Sequence, residues 1–105
     1  MIKNYRRYQR YSICAKAVLI RLIDGSPEKL TVRVNTISQG GMGFYSDIFL
    51  EKATPVSVEL MVDSPEGPDI LEGRIASVSS QGNDYFTGIA FNKDISYDRF
   101  VGIIG

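Results

Sequence analysis

Residues 11–34 read YSICAKAVLIRLIDGSPEKLTVRV, a stretch that predicts a β-hairpin. Its first half, residues 11–23, is rich in Ile, Val, Leu and Ala, which predicts one long strand. Asp24-Gly25-Ser26-Pro27 is a strong turn signal, because these residue types favour the backbone angles of turns. Over residues 30–34, apolar and polar residues alternate as in a strand with one buried face. We therefore expect the first two strands to pair.

The remainder of the chain repeats this pattern of short strands and turns. Glycine and proline cluster at intervals and mark the turns. Between the clusters, further strands are predicted at residues 42–45, 55–62, 69–79 and 85–91. Many short strands with closely spaced turns favour an all-β domain, either a small antiparallel barrel or a sandwich.

The end of the chain has a different pattern. Residues 93–105 predict a short helix that follows the last strand. Either Asp94 or Ser96 is suited to cap its N-terminus, because both side chains can accept hydrogen bonds from free backbone N–H groups. Gly102 and Gly105 are expected to interrupt the helix and keep it brief.

Composition limits the chemistry that this chain can carry out. Its 105 residues are the usual size of one domain, and 12 basic and 12 acidic residues give no formal net charge. Cys14 is the single cysteine and there is no histidine, which excludes an intrachain disulfide and a Cys/His zinc site. We find no paired-carboxylate site or phosphate-binding glycine loop, and so predict no enzyme activity, metal or cofactor. Cys14 is expected to be a small buried side chain on the first strand.

Positive charge is concentrated in a basic arm at residues 1–10. Half of the basic residues precede the first acidic residue: Lys3, Arg6, Arg7, Arg10, Lys16 and Arg21. A guanidinium group binds phosphate through two parallel hydrogen bonds and can stack on a purine ring. Three tyrosines are interleaved with the arginines. Tyr11 is expected to pack against the domain, whereas Tyr5 and Tyr8 suit either packing or stacking on bases.

A second segment, TISQGG at residues 36–41, carries hydroxyl groups followed by two glycines. The hydroxyls of Thr36 and Ser38, and the backbone at Gly40 and Gly41, can hydrogen-bond the edge of a base. Glycines here also suit the turn between two strands. Arginines and hydroxyls together predict a receptor for a small phosphate-bearing nucleotide, without groups for chemistry on it.

The two segments, together with the distance between them in the sequence, resemble the paired signature of PilZ domains. That signature is R-x-x-x-R followed by D/N-x-S-x-x-G. Arg6 and Arg10 match its two arginines. Ser38 and Gly41 match the serine and glycine of the second motif, and Thr36 stands where the family has Asp or Asn.

The resemblance implies a six-stranded antiparallel β-barrel with a short C-terminal helix, in which residues 11–105 form one domain behind the arm. TGIAF at residues 87–91 resembles the closing strand of the family. The family resemblance also implies binding of cyclic di-GMP, a bacterial second messenger. The arginines would contact its phosphates and guanines, and the second motif would contact a guanine. The residues expected to contact it are Arg6, Arg7, Arg10, Thr36, Ser38, Gly40 and Gly41.

Thr36 is the departure that bears most on nucleotide binding. A carboxylate or carboxamide reaches the donor edge of guanine, whereas threonine offers a shorter, neutral hydroxyl. Asn35 is adjacent, but successive strand residues point to opposite faces, so it would need a local bulge to take this role. Arg7 suits equally an outer phosphate contact and a position facing water.

Two functions are compatible with these features. The first is a stand-alone, cytoplasmic cyclic di-GMP receptor, in which the ligand orders the arm for an unidentified downstream protein in control of motility or exopolysaccharide. The second is a PilZ-like adaptor for a protein partner with weak or no nucleotide binding, which Thr36 favours. Zero net charge disfavours binding to RNA or single-stranded DNA, and no apolar run is long enough for membrane insertion.

Overall fold

The chain folds into a closed barrel of antiparallel strands followed by a helix. The computed structural model describes residues 8–61 and 69–104. The elements within them are β1 (Tyr11–Ile23), β2 (Ser26–Ser38), β3 (Gly41–Ser46), β4 (Pro55–Met61), β5 (Asp69–Gln81), β6 (Asp84–Phe91) and α1 (Tyr97–Ile104). Around the barrel the order is β1-β2-β3-β6-β5-β4, and β4 pairs with β1 to close it. The six-stranded antiparallel barrel with a short C-terminal helix is thus confirmed, and the chain does not form a sandwich.

The first hairpin turns more tightly than the sequence predicts. Asp24 and Gly25 alone connect β1 to β2, with φ values of 50° and 81°. Two positive φ values match the tight hairpin turn whose twist suits paired strands, and a residue without Cβ adopts them at least cost. Ser26, predicted to lie in the turn, already pairs with Ile23.

One apolar core fills the barrel. Alternate residues of the strands point inward and are fully buried, among them Leu19, Ile37, Phe44, Val58, Leu60 and Ile75. Ile95 and Phe100, which follow β6, belong to the same core. Among the described residues, Thr87 is the only buried polar side chain, and its Oγ1 has no hydrogen-bond partner. An unpaired buried hydroxyl reduces stability, because it has lost its hydrogen bonds to water.

Cys14 is exposed, so the prediction that it is buried was wrong. Ala17 and Leu19 are buried and point into the barrel. Because strand residues alternate between the two faces, Cys14 lies on the outer face with Lys16. There its Sγ accepts a hydrogen bond from Nη1 of Arg33 at 3.5 Å. A small apolar residue at the end of a strand does not by itself reveal which face it occupies.

Helix α1 begins after Ser96, whose Oγ accepts the backbone N–H of Arg99 at 3.4 Å. Of the two candidate caps, Ser96 rather than Asp94 therefore takes this role. The helix continues through Gly102, contrary to the expected interruption, because Ile103 beyond it packs against the barrel core. No helix in the described part of the chain is both long and apolar enough to cross a bilayer.

Candidate functional site

The predicted site residues that the structure describes gather around one pocket on the outside of the barrel. This pocket has a volume of about 310 Å³ and lies among the arm and strands β2, β3, β5 and β6. Five of the seven predicted residues line it: Arg10, Thr36, Ser38, Gly40 and Gly41. The other two, Arg6 and Arg7, lie outside the described residues.

A bulge in β2 directs two hydroxyl side chains to this pocket. The pairing of β2 with β3 shifts between Val34 and Thr36, so Asn35 is an extra residue in β2. The buried positions consequently pass from Val34 to Ile37, which leaves Thr36 and Ser38 on the outer face. The bulge that would allow Asn35 a new orientation therefore exists, but it is Thr36 that lines the pocket.

Ser38 shapes the turn that follows β2. Its Oγ accepts the N–H of Gly40 at 3.2 Å and donates to the carbonyl oxygen of Gly41 at 3.5 Å. Behind the turn, the N–H of Ile95 donates to the carbonyl oxygen of Gln39 at 2.7 Å, and Nε2 of Gln39 donates to that of Ile95 at 2.9 Å. The turn is therefore held from both sides, and Ser38 has a structural role alongside its position at the pocket.

Gly41 lets β3 and β6 approach each other beside the pocket. A Cβ here would lie less than 3.0 Å from the carbonyl oxygen of Ile89, closer than real Cβ contacts come. Neither Gly40 nor Gly41 is among the residues with positive φ. Lack of space, rather than an unusual backbone conformation, therefore requires glycine at position 41.

Two tyrosines hold the end of the arm and the start of β1. The hydroxyl of Tyr8 donates to Oδ2 of Asp94 at 2.9 Å, so Tyr8 joins the arm to the segment after β6. The rings of Tyr11 and Phe100 have centroids 5.5 Å apart, which is the packing expected for Tyr11. Arg10 lies between the two tyrosines, is exposed, and borders the pocket together with the Asp94 carboxylate.

Residues that neither motif includes complete the pocket, among them Gly43, Ser77, Phe86 and Gly88. Thr36 of β2 pairs with Gly43 of β3. Gly43 pairs with Gly88 of β6, which in turn pairs with Ser77 of β5. Cζ of Phe86 lies 2.5 Å from the point that a Cβ of Gly43 would occupy, so the ring covers this glycine. Only the strand register brings these residues to the motif, which is why the sequence did not reveal them.

A second cavity, with a volume of about 550 Å³, lies between the start of β5 and the segment leading into α1. It is larger, but it contains none of the seven predicted residues. Its Arg99 is already engaged, because Nε lies 2.6 Å from Oδ1 of Asp69. The first pocket is therefore the candidate site.

Known proteins share this fold. The PilZ domain family model matches residues 4–99. The PilZ domain with c-di-GMP of YcgR from Escherichia coli aligns with a TM-score of 0.73 at 21% identity, over 96% of this chain and 89% of that chain. The Bacillus subtilis inhibitor of motility MotI/DgrA aligns with a TM-score of 0.70 at 10% identity, over 96% and 49%. The K. pneumonia MrkH–c-di-GMP complex aligns with a TM-score of 0.66 at 16% identity, over 97% and 50%.

These comparisons differ in what they establish. No curated protein sequence matches this chain. The structural likenesses lie at 10–21% identity and show the fold, and this chain spans about half the length of the MotI/DgrA and MrkH chains. The family match, in contrast, covers residues 4–99 of the 105, from the arm into the helix. The chain therefore belongs to the PilZ domain family.

Proposed function

We propose that this chain is a cyclic di-GMP receptor that holds the dinucleotide between its arginine arm and the outer surface of the barrel. One observation carries the proposal: Arg10 from the first motif and Thr36 and Ser38 from the second border the same pocket, although they are far apart in sequence. PilZ domains are binding and regulatory domains, and the YcgR and MrkH structures contain c-di-GMP. Both facts support this choice of ligand.

The chemistry of the pocket suits a dianion that carries purine bases. Arg10, with Arg6 and Arg7 of the arm, would bind the phosphates and stack on the guanines. Thr36 and Ser38, with the glycine backbone of the turn at residues 40–41, would contact a guanine edge. A cyclic dinucleotide is larger than a pocket of about 310 Å³, so part of it would extend towards the arm.

Signalling would follow from fixing the arm. The hydrogen bond between Tyr8 and Asp94 already ties the arm to the segment before α1, at the edge of the pocket. Nucleotide binding at Arg10 would add contacts that the free arm cannot make, and the ordered residues 1–10 would form a new surface for a protein partner. Unchanged amide exchange across residues 3–10 on addition of cyclic di-GMP would contradict this step.

Calorimetric titration with cyclic di-GMP tests the receptor proposal. Hydrogen bonds to charged groups contribute about 1.5–3 kcal/mol each. Arg10→Ala should therefore weaken binding roughly tenfold to a hundredfold. Lys29→Ala is the matched control, since it also removes one positive charge but lies in the far part of the β1–β2 hairpin, paired with Ile20. Equal loss of affinity in both variants would point to bulk charge and argue against a site at the arm.

The adaptor remains the second candidate, and Thr36 is the observation that favours it. A protein partner would then bind the barrel without help from a nucleotide. Lack of heat at tens of micromolar protein, for the wild type and also for Thr36→Asn, would favour the adaptor over the receptor. Binding that appears only in Thr36→Asn would show that the pocket is intact and that residue 36 alone limits affinity.

A further inference from the structure

The pocket has a second polar side, formed by β5 and β6, that neither motif includes. β5 has a bulge of its own, because its pairing with β6 shifts between Ile75 and Ser77. Ala76 and Ser77 are consequently both exposed, and both line the pocket. Ser77 thus reaches the pocket from β5 in the same way that Thr36 reaches it from β2.

The two bulges adjoin the same transverse row of the barrel. That row is Thr36, Gly43, Gly88 and Ser77, each paired with the next. A Cβ at Gly43 would lie 2.8 Å from Oγ1 of Thr36, and one at Gly88 would lie 2.6 Å from Oγ of Ser77. Each hydroxyl therefore leans over the neighbouring glycine. Since paired Cβ positions on adjacent strands are about 5 Å apart, the two hydroxyl oxygens lie within about 11 Å of each other.

Phe86 provides an apolar surface between these hydroxyls. Its ring covers Gly43, with Cζ 2.5 Å from the point that a Cβ there would occupy. The ring of Tyr45 packs against it with centroids 4.8 Å apart, which limits its movement. Phe86 is only half-buried and lines the pocket, so part of the ring remains open to a ligand. An aromatic ring fixed on a glycine-lined surface is a suitable base-stacking platform.

We propose that Phe86 and Ser77 are ligand-binding residues: one guanine base packs on the Phe86 ring, and its edge hydrogen-bonds the Ser77 hydroxyl. The inference rests on the proposed receptor function and adds the β5–β6 side to the site. A hydroxyl both donates and accepts, so Ser77 can pair with either kind of group on a purine edge. Ser77 would supply a second hydrogen bond to the base in a pocket where the side chain of Thr36 is shorter than the Asp or Asn of the family.

Calorimetric titration of four variants with cyclic di-GMP tests the inference. Ser77→Ala should weaken binding threefold to tenfold, and Ser77→Thr, which keeps the hydroxyl, should stay within threefold of the wild type. Phe86→Leu keeps an apolar side chain over Gly43 but loses the ring, and should weaken binding at least fivefold. Ser80→Ala is the control, since Ser80 is exposed on the same strand and outside the pocket lining; it should bind like the wild type.

A spectroscopic measurement separates contact from mere support of the fold. In protein labelled at its five phenylalanines, the ring signals of Phe86 should shift with ligand, whereas those of the core residue Phe44 should not. Unmoved Phe86 signals at saturation, or wild-type affinity in both Ser77→Ala and Phe86→Leu, overturn the inference. If Arg10→Ala still weakens binding in that case, the receptor proposal stands without it. Absence of binding by the wild type overturns both.

Discussion

The substitution Gly41→Ala should destabilise the barrel by about 3 kcal/mol. The new Cβ would fall less than 3.0 Å from the carbonyl oxygen of Ile89, whereas ordinary contacts begin at 3.4 Å. The Cβ is bonded directly to the backbone of β3 and the oxygen belongs to the backbone of β6, where Gly41 lies opposite Ala90, so relief requires the two strands to separate. Overpacking of this kind costs about 1–3 kcal/mol, and a weakened backbone hydrogen bond adds about 1 kcal/mol.

Urea unfolding followed by circular dichroism measures this loss directly. The loss is a large share of the about 5–15 kcal/mol of stability that a domain of this size has. It should also lower the melting temperature by roughly 10–20 °C. Gly102→Ala is the control, because a Cβ added there would meet nothing within 4 Å beyond its chain neighbours and the backbone of its own helix, α1. There alanine is favoured over glycine by about 0.8–1 kcal/mol, so stability should rise slightly. If Gly41→Ala unfolded at the same urea concentration as the wild type, the close approach of β3 and β6 would be refuted.

Three further substitutions have defined outcomes. Thr87→Val removes a buried hydroxyl that has no partner among the described residues, and should raise the free energy of unfolding by about 1–2 kcal/mol in the same urea assay. Gly25→Ala places a Cβ at a φ of 81° in open space, and should cost about 1 kcal/mol through backbone strain alone. Thr36→Asn adds a longer donor and acceptor at the pocket, and should tighten cyclic di-GMP binding about twofold to tenfold by calorimetry.

The strands were predictable because their apolar residues recur with a period of two. Val32 and Val34 alternate with polar neighbours, and both are buried as this pattern indicates. Features that depend on how two strands pair, such as where pairing begins, were harder to predict from the sequence. Ser26 was predicted to lie in a turn because its residue type is common there, yet strand pairing starts at this residue. Gly102 was likewise expected to interrupt the helix because of its residue type. The helix continues through it because the packing of Ile103 against the core outweighs the low helix propensity of glycine.

In the candidate site too, residues of a local sequence motif were predictable, whereas residues brought there by strand register were not. Thr36 and Ser38 were predicted because they form a continuous motif, and both line the pocket. Ser77 and Phe86 were missed because serine and phenylalanine are ordinary strand residues at those positions. Their alternation on β5 and β6 was visible, but it could not show which residue of β2 lies in the same row.

The bulges explain why the motif alone underdetermines the site. If Asn35 were an ordinary strand residue, the alternation of β2 would continue without a shift after Val34 and turn Thr36 inward, and the β2 side of the row would lose its hydroxyl. The bulge between Ile75 and Ser77 does the same for β5, about 40 residues later in the chain. Two independent irregularities thus bring hydroxyl groups to the two ends of one row. A bulge disrupts its own ladder, yet each of these two places a hydroxyl at the pocket, and loss of affinity in Ser77→Ala together with gain in Thr36→Asn would show that a ligand uses both ends of the row.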